Sequence, residues 1–266
     1  MWSRGAGACQ HSSPSGTERN GEAFVTALPE GRERLRSSII VALDTDAHTA
    51  LSLAHTLRGR VEHLKVGMTL FYAEGPGIVR QFTEMGFSVF VDLKLHDIPH
   101  QVRGAAREVA RAGASMLTVH ASGGRAMMEA AVHGACEGSA ECGSDTPDVL
   151  AVTVLTSLDD AALAEVGVAA APAGQVELLT RLARESGVQG VVCSPREAAA
   201  ARAILGPEAL VVTPGVRPLW AATDDQARVA TPADALAAGA SHLVIGRPIT
   251  GASQPALAVE RIVTEG

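Results

Sequence analysis

Eight short apolar runs, each of strand length, alternate with longer amphipathic stretches from Ile39 onward, and no other feature constrains the fold so tightly. The runs are 39–43, 63–66, 88–93, 116–119, 150–154, 190–192, 210–213 and 242–245. Between them the spacing predicts helices near 47–57, 71–85, 101–112, 125–137, 159–166, 175–185, 195–205 and 233–238, with a last one near 255–264. Several end on the expected glycine, as at Met85-Gly86, Ala112-Gly113 and Ser186-Gly187. Eight βα units predict an α/β fold with a single closed parallel (β/α)8 (TIM) barrel over residues 38–266. An open doubly wound sheet is the alternative. It would want a glycine-rich dinucleotide loop after the first strand, where this chain reads Asp44-Thr45-Asp46. Residues 1–37 fall outside the pattern and read as a mostly disordered N-terminal extension, with room for one short helix across the barrel floor.

Only 3% of residues are aromatic although 47% are hydrophobic, so Ala, Val, Leu and Ile must fill the core. No apolar run approaches the roughly 20 residues that span a bilayer, and the first 20 residues contain no apolar signal segment. Four cysteines without a CxxC pair predict a reduced, cytoplasmic protein. A net charge of −7 without a basic block argues against nucleic acid or an anionic membrane as partner. Of 22 Lys and Arg residues only two are lysine, Lys65 and Lys94. One reading is compositional drift toward arginine. The other is that a compact ammonium able to lose a proton is required at two places.

Chemistry in such barrels sits at the C-terminal ends of the strands, and both lysines fall there. The ends read Asp44, Lys65, Asp92 with Lys94, His120 with Ser122, Thr156, Ser194, Thr213-Pro214-Gly215 and Gly246-Arg247. Strand alternation predicts Asp92 and Lys94 on one face, with Leu93 turned outward and a second carboxylate, Asp97, following in the loop. A buried ion pair closing the barrel top is one account. An alternating Asp-Lys-Asp-Lys array is the better one, because it holds a protonated lysine beside a reacting carbon and a carboxylate near a substrate anion. At the other end of the chain, loops after strands seven and eight form the recurrent phosphate site of these barrels. Here they carry Pro214, Gly215, Arg217 and, further on, Gln226, then Gly246 and Arg247. The glycines admit backbone N–H groups and the arginines supply forked donors, although a plain Pro-Gly turn is the alternative. The expected ligand is a phosphate-bearing small molecule held at one end, with acid–base chemistry at the other.

Other candidates are weaker. His96 and His100 are four apart but lack a third metal ligand in register, and no metal is expected. His120 and Ser122 suit a supporting hydrogen-bond role, and Cys193 a small core position.

With those residues in view, the chain resembles the orotidine 5′-phosphate decarboxylase family from about residue 38 to 263. The matching segments are VALD at 41–44, LKVG at 64–67, DLKLHDIP at 92–99, VHASGG at 119–124, VTVLTS at 152–157, GVVCS at 190–194, TPGVRP at 213–218 and VIGRPIT at 244–250. The resemblance implies a cofactor-free homodimer with shared active sites that converts orotidine 5′-phosphate to UMP. It makes Lys94 the proton donor to C6 of the pyrimidine, with Asp92 beside it. Asp97 and Ile98 are implied to reach the partner subunit's site, and Asp44 and Lys65 to hold the ribose hydroxyls and complete the array. Thr156 would face the ring, and Arg217, Gln226, Gly246 and Arg247 would hold the 5′-phosphate, beside Pro214. Gln101 stands at a substrate-binding position where the family usually has threonine. Mg2+-dependent 3-keto-gulonate-6-phosphate decarboxylases and hexulose-phosphate synthases share D-x-K-x-x-D and are the alternative, but they carry a carboxylate where this chain has Lys65.

Overall fold

The computed structural model describes residues 30–221 and 230–265. Among these, eight parallel strands close into a barrel in sequence order. The strands are β1 Ile39–Ala42, β2 His63–Gly67, β3 Ser88–Leu95, β4 Met116–His120, β5 Asp148–Val152, β6 Gly190–Val192, β7 Leu210–Pro214 and β8 His242–Ile245. Alternation explains the two apolar clusters. Ile39 and Val41 of the first strand, with Leu43 just past its end, face the outer helices, whereas Ile40 points inward. Inside, Ile40 meets Phe90, Met116, Leu150 and Val212, a plug that fills the barrel below its C-terminal mouth.

Two predicted elements need correction. The fifth strand runs Asp148–Val152, two residues earlier than expected. Its ladder with β4 begins at Met116↔Asp148, so a charged residue that looked like loop starts the strand. The single helix expected at 71–85 is two helices, Met68–Glu74 and Gly77–Glu84. Pro76 lies between them, and a residue without an N–H cannot continue the first helix. The helix Glu30–Ser38 covers the last part of the expected tail, and a one-turn helix, Arg247–Thr250, follows β8. The first of these buries Leu35, and its Arg36 forks onto Glu260 of the C-terminal helix at 3.0 and 2.6 Å.

The helices Pro99–Arg111 and Arg125–Cys142, after β3 and β4, touch backbone to backbone. A Cβ on Gly134 would lie 2.1 Å from the Arg103 carbonyl oxygen, and one on Gly138 would lie 2.2 Å from that of Arg107. Only glycine permits this approach. The pairs Arg103–Glu137, Arg107–Glu141 and Arg111–Glu141 run along the same seam.

At the barrel floor, His63 and His242 begin β2 and β8 and meet edge to face, ring centroids 5.1 Å apart. Burial, reinforced by the neighbouring His63, pushes the His242 imidazole down to about 4. Burial also lowers His63, against the opposing pull of Glu62. In the unfolded chain both rings titrate near ~6.5. Between that pH and about 4 the unfolded state therefore binds more protons, and stability falls as pH falls. The expected result is a melting temperature that drops from pH 7 to pH 4.5, with a shallower drop in a His242→Leu chain. Equal slopes for the two chains would remove the histidine pair as the cause.

Candidate active site

The C-terminal mouth of the barrel opens on a cavity of about 380 Å³. Along one wall, side chains of alternating charge stand in a row: Asp44 just past β1, Lys65 on β2, then Asp92 and Lys94 on β3. Lys65 Nζ donates to Asp44 Oδ1 at 2.9 Å and lies 3.5 Å from Asp92 Oδ2. Lys94 Nζ donates to the other oxygen, Asp92 Oδ1, at 2.8 Å. Asp92 is thus bracketed by both lysines of the protein. Its burial alone would raise the carboxyl pKa. The ammonium groups of Lys65 and Lys94, with hydrogen bonds from Lys94 and Thr118, outweigh that and hold it below the usual carboxylate range. Asp92 is therefore ionised at neutral pH.

Alternation holds along β3, with Phe90, Asp92 and Lys94 facing inward and Val89, Val91 and Leu93 packed outward. Between β3 and β4 the register jumps from Val91↔Leu117 to Leu95↔Val119, so three residues of β3 face a single residue of β4. Within this bulge Lys94 adopts φ +53°, the only positive φ at a non-glycine residue among the described residues. Such left-handed backbone is strained in an L residue, by about 1–2 kcal/mol, and strain of this kind is stored at functional sites.

Another part of the lining comes from the other end of the chain. Pro214 ends β7, Gly215 and Arg217 follow it, Gly246 and Arg247 follow β8, and all five line the cavity together with Thr156. The Arg217 amide donates to the Ala230 carbonyl at 3.2 Å, tying the loop after β7 to the approach to the next helix. Gln226 lies outside the described residues. Elsewhere the lining is apolar, with Phe90, Val152, Val154, Val192 and Val244.

Asp97, Ile98 and Gln101 do not line this cavity. All three are exposed, and Asp97 Oδ1 accepts from the Ile98 amide at 2.6 Å instead of pairing with Lys94. Within the chain, Asp92 is the carboxylate that pairs with Lys94. His120 lies with its ring centroid 5.3 Å from that of His96. Burial first, then the nearby His96 and Lys94, lower its pKa. Cys193 lines the cavity but is buried, and burial pushes its thiol up to about 12, so it remains protonated. His96 and His100 are exposed, and no group of three or more His, Cys, Asp or Glu side chains is arranged to hold a metal among the described residues.

Two residues escaped the sequence reading. Thr118 on β4 donates to Asp92 Oδ1 at 3.0 Å and accepts from the Lys94 amide at 2.8 Å. Its place on the inward face of β4, two residues after Met116, was the available signal. Gly67 ends β2, where a Cβ would lie 2.9 Å from Asp44 Oδ1 and 3.0 Å from Lys65 Nζ. Any side chain there would press on that ion pair.

The chain is similar to known proteins along most of its length. The sequence profile of the family described as "Orotidine 5'-phosphate decarboxylase / HUMPS family" matches residues 37–262. The chain is 50% identical over 238 residues to an orotidine 5′-phosphate decarboxylase of Heliobacterium modesticaldum, covering 89% of this chain and 96% of that one. It is 53% identical over 225 residues to one of Anaeromyxobacter sp. strain K, covering 84% and 96%. The crystal structure of orotidine 5′-phosphate decarboxylase from Lactobacillus acidophilus superposes with a TM-score of 0.76 at 38% identity, over 86% of this chain and 98% of that one. With a profile spanning almost the whole barrel and relatives at half identity along their full length, the chain belongs to the orotidine 5′-phosphate decarboxylase / HUMPS family.

Proposed function

We propose that this protein decarboxylates orotidine 5′-phosphate to UMP, the last step of de novo pyrimidine nucleotide synthesis, with its own side chains as the only catalysts. The observation that carries the reading is the unbroken Asp44–Lys65–Asp92–Lys94 row, spaced at 2.9, 3.5 and 2.8 Å, in one cavity with two arginines. In this reading Arg217, Arg247, Gln226 and the backbone at Gly246 hold the 5′-phosphate beside Pro214. Asp44 and Lys65 take the ribose hydroxyls, and Thr156 faces the pyrimidine.

Loss of CO2 leaves a vinyl carbanion at C6 that water stabilises poorly. A preorganised ammonium aimed at that carbon stabilises the developing charge and then delivers its proton there. In this reading Lys94 is that group. Asp92, kept ionised by its two lysines, stands where the departing carboxylate lies, and their repulsion eases as CO2 leaves. Gripping the phosphate far from C6 lets binding energy reach the chemical step.

The working enzyme in this reading is a homodimer. Asp97 and Ile98 lie at the C-terminal face of the barrel yet outside their own cavity, and Ile98 is 62% exposed. Met68 and Tyr72, on the helix that follows β2, are exposed at 47% and 74%. A second copy docked on this face would cover these apolar groups and bring Asp97 and Ile98 to its neighbour's site, with Gln101 at the interface. No helix among the described residues is long and apolar enough to cross a membrane, and the free thiols of Cys142 and Cys193 fit a reduced cytoplasm.

The test follows the fall in orotidine 5′-phosphate absorbance with and without EDTA. Decarboxylation is expected to be unaffected by EDTA and not raised by Mg2+. Inertness toward this substrate would overturn the reading, and a metal requirement would move the chain to the sugar-phosphate branch of its family.

A further inference from the structure

Thr118 sits mid-strand on β4 with 0% exposure, and a buried hydroxyl needs partners. Both of its capacities are used on β3. Its Oγ1 donates to Asp92 Oδ1 at 3.0 Å and accepts from the Lys94 backbone N–H at 2.8 Å. These bonds cross the bulge, where the β3–β4 ladder skips from Val91↔Leu117 to Leu95↔Val119. Thr118 is the one β4 residue opposite the interrupted stretch. The same stretch contains the left-handed Lys94, whose amide has lost its ladder partner and is satisfied by this side chain.

We infer that Thr118 is a positioning residue for the decarboxylation proposed above: a single hydroxyl fixes both the carboxylate of Asp92 and the strained backbone from which the Lys94 ammonium is aimed. Thr118 does not line the cavity, so it acts through those two residues and not on substrate. Asp92 Oδ1 receives Lys94 Nζ at 2.8 Å and Thr118 Oγ1 at 3.0 Å, while Oδ2 faces Lys65 at 3.5 Å. Without the hydroxyl, Oδ1 keeps one donor and the Lys94 amide is left buried and unpaired. The carboxylate is then free to turn toward Lys65, and the bulge toward a conformation that aims the ammonium elsewhere.

Valine has the shape of threonine without the hydroxyl, which separates the bonds from the packing. The experiment compares kcat and KM for orotidine 5′-phosphate, UMP affinity and melting temperature in wild type, Thr118→Val and Thr118→Ser, with Thr118→Ala replacing valine if that chain does not fold. The expected result is a fall in kcat of about 10-fold or more in the variant without hydroxyl, the scale of one lost bond to a charged group. KM and UMP affinity should stay within about threefold of wild type, and serine should restore most of kcat. The inference rests on the proposed decarboxylation, so the wild type is the control: no turnover there overturns the functional reading itself. With wild type active, a hydroxyl-free variant keeping its kcat, or a serine variant as impaired as valine, overturns the role of Thr118 alone.

Discussion

Replacing Lys94 with alanine should lower turnover of orotidine 5′-phosphate by at least ~10^3 while leaving UMP affinity far less changed. Three decades correspond to about 4 kcal/mol of transition-state stabilisation. Lys94 is well placed to supply it. Its ammonium is held at 2.8 Å by an ionised carboxylate inside a cavity with an apolar wall, so it needs no reorganisation when charge develops. Removing it takes away the electrostatic partner of the carbanion and the proton that quenches it. The product has neither a carbanion nor a carboxylate at C6, which is why its affinity should largely survive. Steady-state kinetics beside a UMP titration measure the two effects separately. Turnover within tenfold of wild type would remove Lys94 from the proton-donor role, and an equal loss in UMP affinity would make it a binding residue.

Inactive Lys94→Ala and inactive Asp97→Ala chains should regain activity when mixed under conditions that exchange subunits. The basis is the placement of Asp97, three residues past Lys94, exposed and absent from its own cavity. If it completes the neighbour's site, a mixed dimer has one site with both defects and one with neither. Each mixed dimer should then recover about half of the wild-type activity, a very large gain over two nearly silent parents. Differently tagged chains that co-purify establish that the mixed species formed. Co-purification without any recovered activity would place the work of Asp97 within its own subunit.

Much of the fold was legible because helix and strand periods differ so clearly in this chain. Eight apolar runs separated by amphipathic segments leave little but a closed barrel, and strand order followed sequence order. Errors came where one residue outweighed a pattern. Pro76 split a helix that the apolar spacing carried straight through, and Asp148 began a strand whose apolar run starts only at Val149. The charge row was legible for a compositional reason: with arginine nearly everywhere else, Lys65 and Lys94 stood out. Thr118 did not, since threonine in a strand is an ordinary β-former and its bond to the Lys94 amide lies within a bulge that period-two reasoning cannot see. Where Asp97 points was equally hidden, because a single sequence specifies the loop and not what docks against it.

The glycine seam between the helices Pro99–Arg111 and Arg125–Cys142 has a consequence at a distance. The first helix begins directly after Asp97 and Ile98, so its axis decides where that loop is aimed. Backbone contact at Gly134 and Gly138 clamps this helix against its neighbour with no side-chain cushion between them. In the proposed dimer, then, two glycines with no chemistry of their own act as a gunsight, setting from one subunit the trajectory of a carboxylate into the other. A methyl group added at either would be felt across the two-fold axis, as mis-aim in a site whose own residues are all intact.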